Sequence, residues 1–297
     1  MLTDTTVPQA SIDPHPATWQ IQRAGDKFEF QMSLDRGDLT ERAILDSHNS
    51  GILYEQDVAT LMINVLRPDD VALDVGANVG FFTTLAATLV GRNGHVLAFE
   101  PAATCADRLR RNVDLNQLTN VTVIEQIAMA YACETDFYLN SDNSGGNALW
   151  DPGEFPGNEK SRANPIRISA PATTVDEQWT KLGLPIPKLI KIDTEGAEQR
   201  VLEGAIKLIA DCKVPFIVAE LHEFGLQKMG CTQQSLRRFI EGFGYSTFGL
   251  YYSNSLPKLI PPASQIRSPF IVNLLFSTVD NIAEYWPFAS IDPRSPC

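Results

Sequence analysis

The chain has 297 residues, of which 44% are hydrophobic and 20% charged, which is enough apolar material for a complete α/β core. Its 36 acidic and 24 basic residues give a formal net charge of −12. That balance argues against a long interface with nucleic-acid phosphates or an anionic membrane, since both require a positive protein surface. We therefore expect neither nucleic acid nor a lipid surface as a partner.

The five cysteines are scattered, and no C-x-x-C pair occurs among them. This usage disfavours a disulfide framework or a zinc site and is typical of a reducing compartment. The first residues lack the basic and apolar regions of a signal peptide, and no apolar run approaches the roughly 18 residues of a membrane span. The sequence predicts a cytoplasmic protein without a membrane-spanning segment.

Composition divides the chain into four regions. Residues 1–18 are rich in Thr, Pro and Asp and are expected to form a loose tail. Residues 19–68 are expected to form an N-terminal cover segment, residues 69–280 the main domain, and residues 281–297 a C-terminal tail.

From Val71 onward, strands and helices alternate. Five short apolar strands are predicted, at 71–75, 95–99, 121–124, 189–192 and 216–221. Repeated strand–helix units imply a parallel sheet that is covered on both faces. Two further strands are expected at 245–251 and 270–276, as an antiparallel pair at the sheet edge. The predicted fold is therefore an α/β, doubly wound, mostly parallel seven-stranded sheet with an antiparallel edge strand.

Residues 140–164 interrupt this alternation with a run rich in Gly, Asn, Ser, Asp and Pro. They are expected to form a long irregular loop between the third and fourth strands. Loops of this length in a compact domain are usually functional or disordered.

A glycine turn follows the first strand. Asp74 ends that strand, and Gly76 and Gly80 bracket a tight turn that lets backbone N–H groups approach a ligand closely. The dinucleotide motif G-x-G-x-x-G is absent, because Ala77 and Asn78 follow Gly76. The turn thus favours a nucleoside-like ligand without phosphates, and the alternative is that the glycines serve only the turn itself.

Glu100 ends the second strand. In a doubly wound sheet the carboxyl ends of the first two strands lie side by side, and a carboxylate there can accept hydrogen bonds from both ribose hydroxyls of a nucleoside. The alternative is a surface glutamate that precedes a turn.

Several motifs occur together in this order: Tyr54-Glu55, the turn at 74–80, Phe-Glu-Pro at 99–101, Ser-Gly-Gly at 144–146, the run at 189–198, and the strand end at 218–222. Over roughly residues 40–250 they resemble the FkbM family of S-adenosylmethionine-dependent methyltransferases. The resemblance implies a class I, Rossmann-like methyltransferase fold and S-adenosylmethionine as the methyl donor. It also implies an acceptor hydroxyl on a sugar, a polyketide or a related secondary metabolite.

The resemblance also implies which residues bind the donor. The turn residues are expected around its amino-acid part and sulfonium, Glu100 at the ribose, and residues 125–127 at the adenine. The expected cofactor contacts are Tyr54, Asp74, Gly76, Ala77, Asn78, Gly80, Phe81, Glu100, Pro101, Gln126, Ile127 and Asp193.

Catalytic candidates follow the fourth and fifth strands. An acceptor alcohol must lose a proton during attack, and His222, just past the fifth strand, is the predicted general base, with Asp193 and Glu220 beside it. The alternative for His222 is a structural role. Lys191, in a central strand, is expected to pair with Asp193 or Glu220, because an unpaired buried charge is costly. Early helix acids such as Glu195 can simply stabilise the helix dipole.

The same side chains offer oxygen and imidazole ligands for Mg²⁺. No metal-specific spacing supports such a site, so no metal ligand is predicted and Mg²⁺ is not favoured. The loop at 140–164 and the segment around Tyr54 are expected to cover the acceptor.

The predicted function is O-methylation of a small-molecule or glycan acceptor that carries a free hydroxyl. Methylation of nitrogen or of RNA is an alternative, disfavoured by the acidic charge and by the lack of an Asn-Pro-Pro-Tyr-like tetrapeptide after the fourth strand. A non-catalytic S-adenosylmethionine-binding protein and an NAD-dependent oxidoreductase are further alternatives. The sequence does not determine the oligomeric state and is compatible with a homodimer.

Overall fold

The structure is a computed structural model, and it describes residues 14–140, 142–155, 164–250, 256–268 and 271–286. The strands within these ranges are β1 Pro14–Arg23, β2 Asp26–Asp35, β3 Val71–Val75, β4 His95–Phe99, β5 Val121–Ile124, β6 Ile127–Ala128, β7 Cys133–Leu139, β8 Ile166–Thr173, β9 Leu189–Ile192, β10 Phe216–Leu221, β11 Ser246–Gly249, β12 Lys258–Leu259 and β13 Val272–Ser277. The α-helices are α1 Leu39–Asn49, α2 Gln56–Val65, α3 Phe81–Val90, α4 Ala103–Leu115, α5 Val175–Leu182, α6 Glu198–Glu203, α7 Glu223–Lys228, α8 Gln233–Glu241 and α9 Val279–Tyr285.

In the described ranges, eight strands form the central sheet, in the order β12-β11-β13-β10-β9-β3-β4-β5. The five strands from β10 to β5 are parallel, whereas β13 runs antiparallel to both β10 and β11. The doubly wound, mostly parallel sheet is confirmed, and so is the antiparallel pairing of β11 with β13. The pair differs from the prediction in one respect: β13 lies inside the sheet, and the edge is the two-residue strand β12, which is too short to leave a pattern in the sequence.

The two faces of the sheet bury different layers, because successive strand residues point to opposite sides. Ala72 of β3 joins one core together with residues of α2, α3 and the β1–β2 hairpin. Its neighbour Leu73 joins the other core, with residues of α6 and α8. Both faces of the parallel strands are therefore apolar, as expected for strands with helices on each side.

The N-terminal hairpin covers the start of α3 through aromatic contacts. Trp19 and Phe30 are cross-strand partners and stack with ring centroids 5.1 Å apart. Both rings meet Phe81, the first residue of α3, edge-on at 5.4 and 5.7 Å. These contacts hold the N-terminal segment against the helix that follows the glycine turn.

Both predicted tails are too long. Strand β1 begins at Pro14, so residues 14–18 belong to the hairpin, where Ala17 is buried. The first residues of β1 include two prolines, which are untypical of a strand, so the sequence did not indicate that the strand begins there. Proline is nevertheless tolerated in an edge strand. At the other end, α9 crosses the predicted boundary at residue 281, and its Ile282 is fully buried in the core. Residues 1–13 and 287–297 lie outside the described ranges.

The turn between β9 and α6 packs directly against the start of α7. Gly196 has φ +108°, and a Cβ there would lie 2.2 Å from the carbonyl carbon of Gly225. Only glycine allows both this conformation and this approach. The close contact brings Glu195, on β9's side of the turn, next to His222.

We predict that Gly196→Ala lowers the free energy of unfolding by at least about 3 kcal/mol, from left-handed strain plus overlap with the Gly225 backbone. Gly183→Ala is the matched control, because Gly183 has φ +63° and open space around its Cβ position. The control should lose about 1 to 2 kcal/mol, from strain alone. Urea unfolding measures both changes. Equal losses of unfolding free energy in the two variants would show that the β9–α6 turn does not pack tightly against the Gly225 backbone.

Candidate functional site

A cavity lies at the carboxyl edge of the sheet, where β3, β4, β9 and β10 end. Its floor includes the strand ends at Gly76, Glu100 and Asp193. Its cover includes Tyr54 and Glu55 from the N-terminal segment, with further lining residues Thr40, Ile44, Asn143, Ser144, Gly145, Asn147 and Leu149. The predicted placement of the N-terminal segment over this edge therefore agrees with the structure.

The described part of the predicted loop at 140–164 is held against the cover segment. The N–H of Ser144 donates to Oδ2 of Asp38 at 2.8 Å, and the N–H of Gly145 donates to Oγ1 of Thr40 at 2.9 Å. The Ser144 hydroxyl also lies 3.2 Å from Oδ1 of Asn78 in the glycine turn. Residues 142–149 thus form a fixed wall, while residues 156–163 lie outside the described ranges.

A row of ionisable side chains crosses the covered face of the sheet. In the parallel register, Lys191 of β9 stands opposite Asp74 of β3. Because side chains two residues apart share a face, Asp193 and, on β10, Glu220 point to the same side. The Lys191 ammonium lies 3.4 Å from Oδ1 of Asp74 and 3.2 Å from Oδ2 of Asp193, and it donates to the Gly76 carbonyl at 3.1 Å. The predicted pairing with Asp193 is confirmed.

This row shifts the pKa values of its members. Burial alone lowers the pKa of Lys191, but the charges of Asp193 and Asp74 outweigh it and raise that pKa above its usual value. Burial, followed by the Asp193 charge, raises the pKa of Glu220 well above its usual value. Among the described residues, no group hydrogen-bonds Oε2 of Glu220. Glu220 is therefore disposed to hold a proton at neutral pH.

Three non-glycine residues of the described chain line the cavity with positive φ: Glu55 at 40°, Asn78 at 49° and Glu195 at 55°. Such conformations store about 1 to 3 kcal/mol of strain each and cluster at functional sites. Burial, followed by the Asp193 charge, raises the pKa of Glu55 to about 7, although Lys191 and the Tyr54 phenol oppose the rise. The lining of the cavity is therefore strained at these three residues, and two of them are acidic.

Glu100 is oriented by backbone donors. Its Oε2 accepts the N–H of Asn78 at 2.8 Å, and its Oε1 accepts the N–H of Ala102 at 2.9 Å. Each carboxylate oxygen has a further acceptor position, and the residue lines the cavity. Burial raises the pKa of Glu100 to about 7. A ligand hydroxyl could bond here without displacing either backbone contact.

The glycine at the first turn position answers a packing constraint. Gly76 has φ +78°, and a Cβ there would lie 1.7 Å from the carbonyl oxygen of Asp193. The β3 and β9 turns are therefore in direct contact, and glycine is required for that contact whether or not a ligand is present.

Most of the predicted cofactor contacts line the cavity: Tyr54, Gly76, Ala77, Asn78, Phe81, Glu100, Pro101, Ile127 and Asp193. Three do not. Asp74 lies beneath the cavity, accepting the hydroxyl of Thr83 at 2.6 Å and facing Lys191. Gly80 is the N-cap of α3, and Gln126 points toward Gln178, with 3.4 Å between their side-chain amides. These three support the site from behind rather than lining it.

Of the predicted catalytic residues, Asp193 and Glu220 line the cavity and His222 does not. His222 is 2% exposed, and its Nδ1 accepts the N–H of Gly225 at 3.0 Å as the cap of α7. Its Nε2 lies 3.7 Å from Oε2 of Glu195, which does line the cavity. The imidazole therefore reaches the cavity through Glu195, a lining residue that was not among the predicted catalytic or cofactor contacts, and for which a helix-dipole role was the alternative.

Across the described ranges, no group of three or more His, Cys, Asp or Glu side chains is arranged to hold a metal ion. In the same part of the chain, every helix is too short or too polar to cross a membrane.

Comparison with known families identifies the domain. Residues 74–247, more than half of the chain, match the methyltransferase FkbM domain. The chain belongs to the FkbM methyltransferase family. The match covers the glycine turn, Glu100, the β9 motif and β10, so the resemblance seen in the sequence is confirmed, and with it a Rossmann-like methyltransferase domain.

Two curated relatives share part of the chain. The hexuronic acid methyltransferase AglP of Haloferax volcanii is 28% identical over 169 residues, which cover 57% of this chain and 62% of that protein. The AMB antimetabolite synthetase AmbE of Pseudomonas aeruginosa is 31% identical over 188 residues, which cover 54% of this chain and 9% of that protein. The chain thus spans less than two thirds of the length of either relative.

Among solved structures, the chain is similar to a precorrin-6y C5,15-methyltransferase from Geobacter metallireducens, with a TM-score of 0.42 and 15% identity over 75% of this chain and 88% of the other.

Glu198 holds the β9–α6 turn that carries the site. Its Oε1 accepts the N–H and hydroxyl of Thr194, each at 3.1 Å, and the N–H of Gly196 at 2.9 Å. Burial raises the pKa of this carboxyl from 4.5 to about 7. The folded state therefore retains a proton that the unfolded chain loses, and the stability this gives is present below about pH 4.5 and lost as the pH rises through about 7.

We predict that Glu198→Gln flattens the pH dependence of stability, because glutamine keeps the Oε1 acceptor and cannot ionise. Between pH 5 and 7.5 the wild type should lose about 2 kcal/mol more of its unfolding free energy than the variant. Urea unfolding at both pH values gives the difference, in which contributions of the other carboxyls cancel. If the unfolding free energies of the wild type and the variant change equally between the two pH values, Glu198 has an ordinary pKa in the folded protein.

Proposed function

We propose that this chain is an S-adenosylmethionine-dependent O-methyltransferase that transfers a methyl group to a hydroxyl of a sugar or a related small metabolite. The observation that carries the proposal is the cavity at the sheet edge. There an oriented carboxylate, Glu100, and a tight turn without a phosphate motif meet a strongly acidic wall.

The residues of the cavity fit this donor. Glu100 can accept hydrogen bonds from two ribose hydroxyls, since each of its oxygens already accepts one N–H and has a further acceptor position. The ionisable side chains lining the described cavity are five carboxyls, those of Glu55, Glu100, Asp193, Glu195 and Glu220, and a single ammonium, that of Lys191. Such a wall attracts a cation such as a sulfonium.

When bound, S-adenosylmethionine supplies an activated methyl group for in-line displacement. The protein's own task is to hold the acceptor oxygen in line, exclude water and accept the hydroxyl proton. Tyr54 and Phe81 are in contact, with ring centroids 5.5 Å apart, and line the cavity on the cover side. They shield it from solvent, and the acidic wall beneath them supplies proton acceptors.

The acceptor class is proposed from two observations. AglP, by its name, methylates a hexuronic acid, which supports a sugar acceptor. In this chain, however, the Lys191 ammonium already faces Asp74 and Asp193, so it is poorly placed to bind a uronate carboxylate as well. We therefore favour an uncharged sugar hydroxyl over a hexuronate.

Glu100→Ala should weaken binding of S-adenosylhomocysteine by about 10- to 100-fold, which corresponds to the roughly 1.5 to 3 kcal/mol of hydrogen bonds to a charged group. Isothermal titration calorimetry measures the effect. Asp107→Ala, an exposed acid on α4, is the control and should bind like the wild type. Unchanged affinity of Glu100→Ala, in a protein that unfolds cooperatively, would remove Glu100 from the donor site.

The acceptor is tested by incubating the protein with methyl-labelled S-adenosylmethionine and separate panels of neutral sugars, hexuronic acids and RNA, followed by mass spectrometry. Label on a neutral sugar hydroxyl is the expected result. Label only on hexuronates or on RNA would contradict the acceptor class. Donor binding without transfer to any panel would favour a non-catalytic binding protein, and binding of NADH in place of the donor would contradict the proposed function itself.

A further inference from the structure

Glu195, in the cavity wall, has a strained backbone conformation that contacts with neighbouring residues hold in place. It occupies the left-handed region, with φ +55°, in the turn between β9 and α6. Its side chain is 12% exposed and lines the cavity. A strained conformation of this kind persists only where neighbouring contacts enforce it.

Trp150 and α7 enforce the conformation of the Glu195 backbone. The indole N–H of Trp150 donates to the Glu195 carbonyl oxygen at 2.6 Å. On the other side, that oxygen leaves no room for a side chain at Gly225, where a Cβ would lie 2.3 Å away. The carbonyl is therefore fixed between the loop wall and α7, which sets the direction in which the side chain leaves the turn.

His222 faces the side-chain carboxylate. Because Nδ1 of His222 accepts the N–H of Gly225, a neutral imidazole must carry its proton on Nε2. That nitrogen lies 3.7 Å from Oε2 of Glu195. Catalytic contacts of this kind are often long in unliganded enzymes and shorten when substrate binds.

The imidazole itself is immobilised. It stacks on Trp150, with centroids 5.8 Å apart and planes 15° from parallel, and Phe155 lies against it at 5.5 Å. It is 2% exposed. Stacking and burial restrict rotation of the ring, and its Nε2 faces Oε2 of Glu195.

We propose that Glu195 is the catalytic residue that accepts the proton of the acceptor hydroxyl, and that His222 and Trp150 are positioning residues for it. The inference rests on the proposed O-methyltransferase function. The acceptor oxygen forms a bond to the methyl carbon while the methyl–sulfur bond breaks with its electron pair on sulfur. The hydroxyl proton passes to the Glu195 carboxylate, and the neutralised sulfonium leaves as a thioether.

The other wall carboxyls are engaged in different roles. Asp193 faces the Lys191 ammonium at 3.2 Å, which holds its charge in place beneath the cavity. Burial and the Asp193 charge raise the pKa of Glu220 well above its usual value, which favours its protonated form over the carboxylate. Glu55 lies on the cover segment, where the phenol of Tyr54 donates a hydrogen bond to it. Glu195 is the wall carboxylate that faces the imidazole of His222, with 3.7 Å between its Oε2 and Nε2.

The first test uses Glu195→Gln, which keeps the size of the side chain and removes the base. We expect turnover of the accepted sugar to fall by about 10²- to 10⁴-fold. The dissociation constant for S-adenosylhomocysteine should stay within about twofold of the wild type, since Glu100 and the glycine turn are intact. Glu223→Gln, an exposed acid next to His222 and outside the cavity, is the control and should leave turnover unchanged.

Two His222 variants separate positioning from folding. Asn at this position retains an oxygen that can accept the Gly225 N–H but has no group that reaches Glu195, whereas Gln places an amide near the Nε2 position. We expect His222→Asn to lower kcat about tenfold with unchanged donor affinity, and His222→Gln to lower kcat less. In the Glu195→Gln background, His222→Asn should not lower kcat further, because the carboxylate that His222 positions is already absent.

The outcomes distinguish this inference from the proposed function. If the wild type transfers methyl groups and Glu195→Gln is equally fast, or if the two substitutions lower kcat independently, the inference is wrong and the proposed function stands. If the wild type transfers no methyl group, the proposed function fails. The imidazole is then read directly by ¹⁵N NMR, which needs no acceptor: protonated Nε2 and unprotonated Nδ1 are expected, and a proton on Nδ1 would overturn the positioning role.

Discussion

The site depends on one buried charge, the ammonium of Lys191 in the middle of the central sheet. Its side chain is 4% exposed, and burying such a charge without partners would cost several kcal/mol. Asp74 meets it because β3 and β9 pair in a register that sets the two residues opposite each other. Asp193 meets it from the end of the same strand. A slip of one residue would turn Lys191 to the other face, so the ion pairs help to fix the register that brings the β3 and β9 turns together.

The acidic wall follows from the same arrangement. Lys191 is neutralised from below, so the charge of the remaining carboxyls is left to the cavity, where burial and mutual repulsion raise the pKa values of Glu55 and Glu220. The carboxyls that line the cavity differ in their hydrogen-bonding surroundings. Glu100 is held by backbone donors, and we propose that it binds the ribose hydroxyls; Glu195 faces the His222 imidazole, and we propose that it accepts the proton of the acceptor hydroxyl. Glu100 and Glu195 have the same functional group, and their different neighbours suit them to different roles.

The sequence predicted the sheet strands from β3 to β5, β9 and β10 with correct bounds, because strands buried on both faces are unbroken apolar runs between turns. It missed the small sheet of β6, β7 and β8, because β6 has only two residues and because β7 and β8 carry charged residues and cover only a small satellite core. The carboxyl-edge position of His222 was predictable from the end of β10. The direction of its ring was not, since that depends on the cap it forms with Gly225. The left-handed conformation of Glu195 likewise leaves no mark in the sequence, because glutamate rarely adopts it.

The most direct measurement is a crystal structure of the protein with S-adenosylhomocysteine and a neutral sugar acceptor. We expect the ribose hydroxyls on Glu100, the thioether sulfur over the acidic wall, and the acceptor hydroxyl within hydrogen-bond distance of Glu195, whose carboxylate has closed on Nε2 of His222. A nucleoside bound elsewhere, or an acceptor hydroxyl on Glu220 or Asp193 with Glu195 turned away, would contradict this expectation.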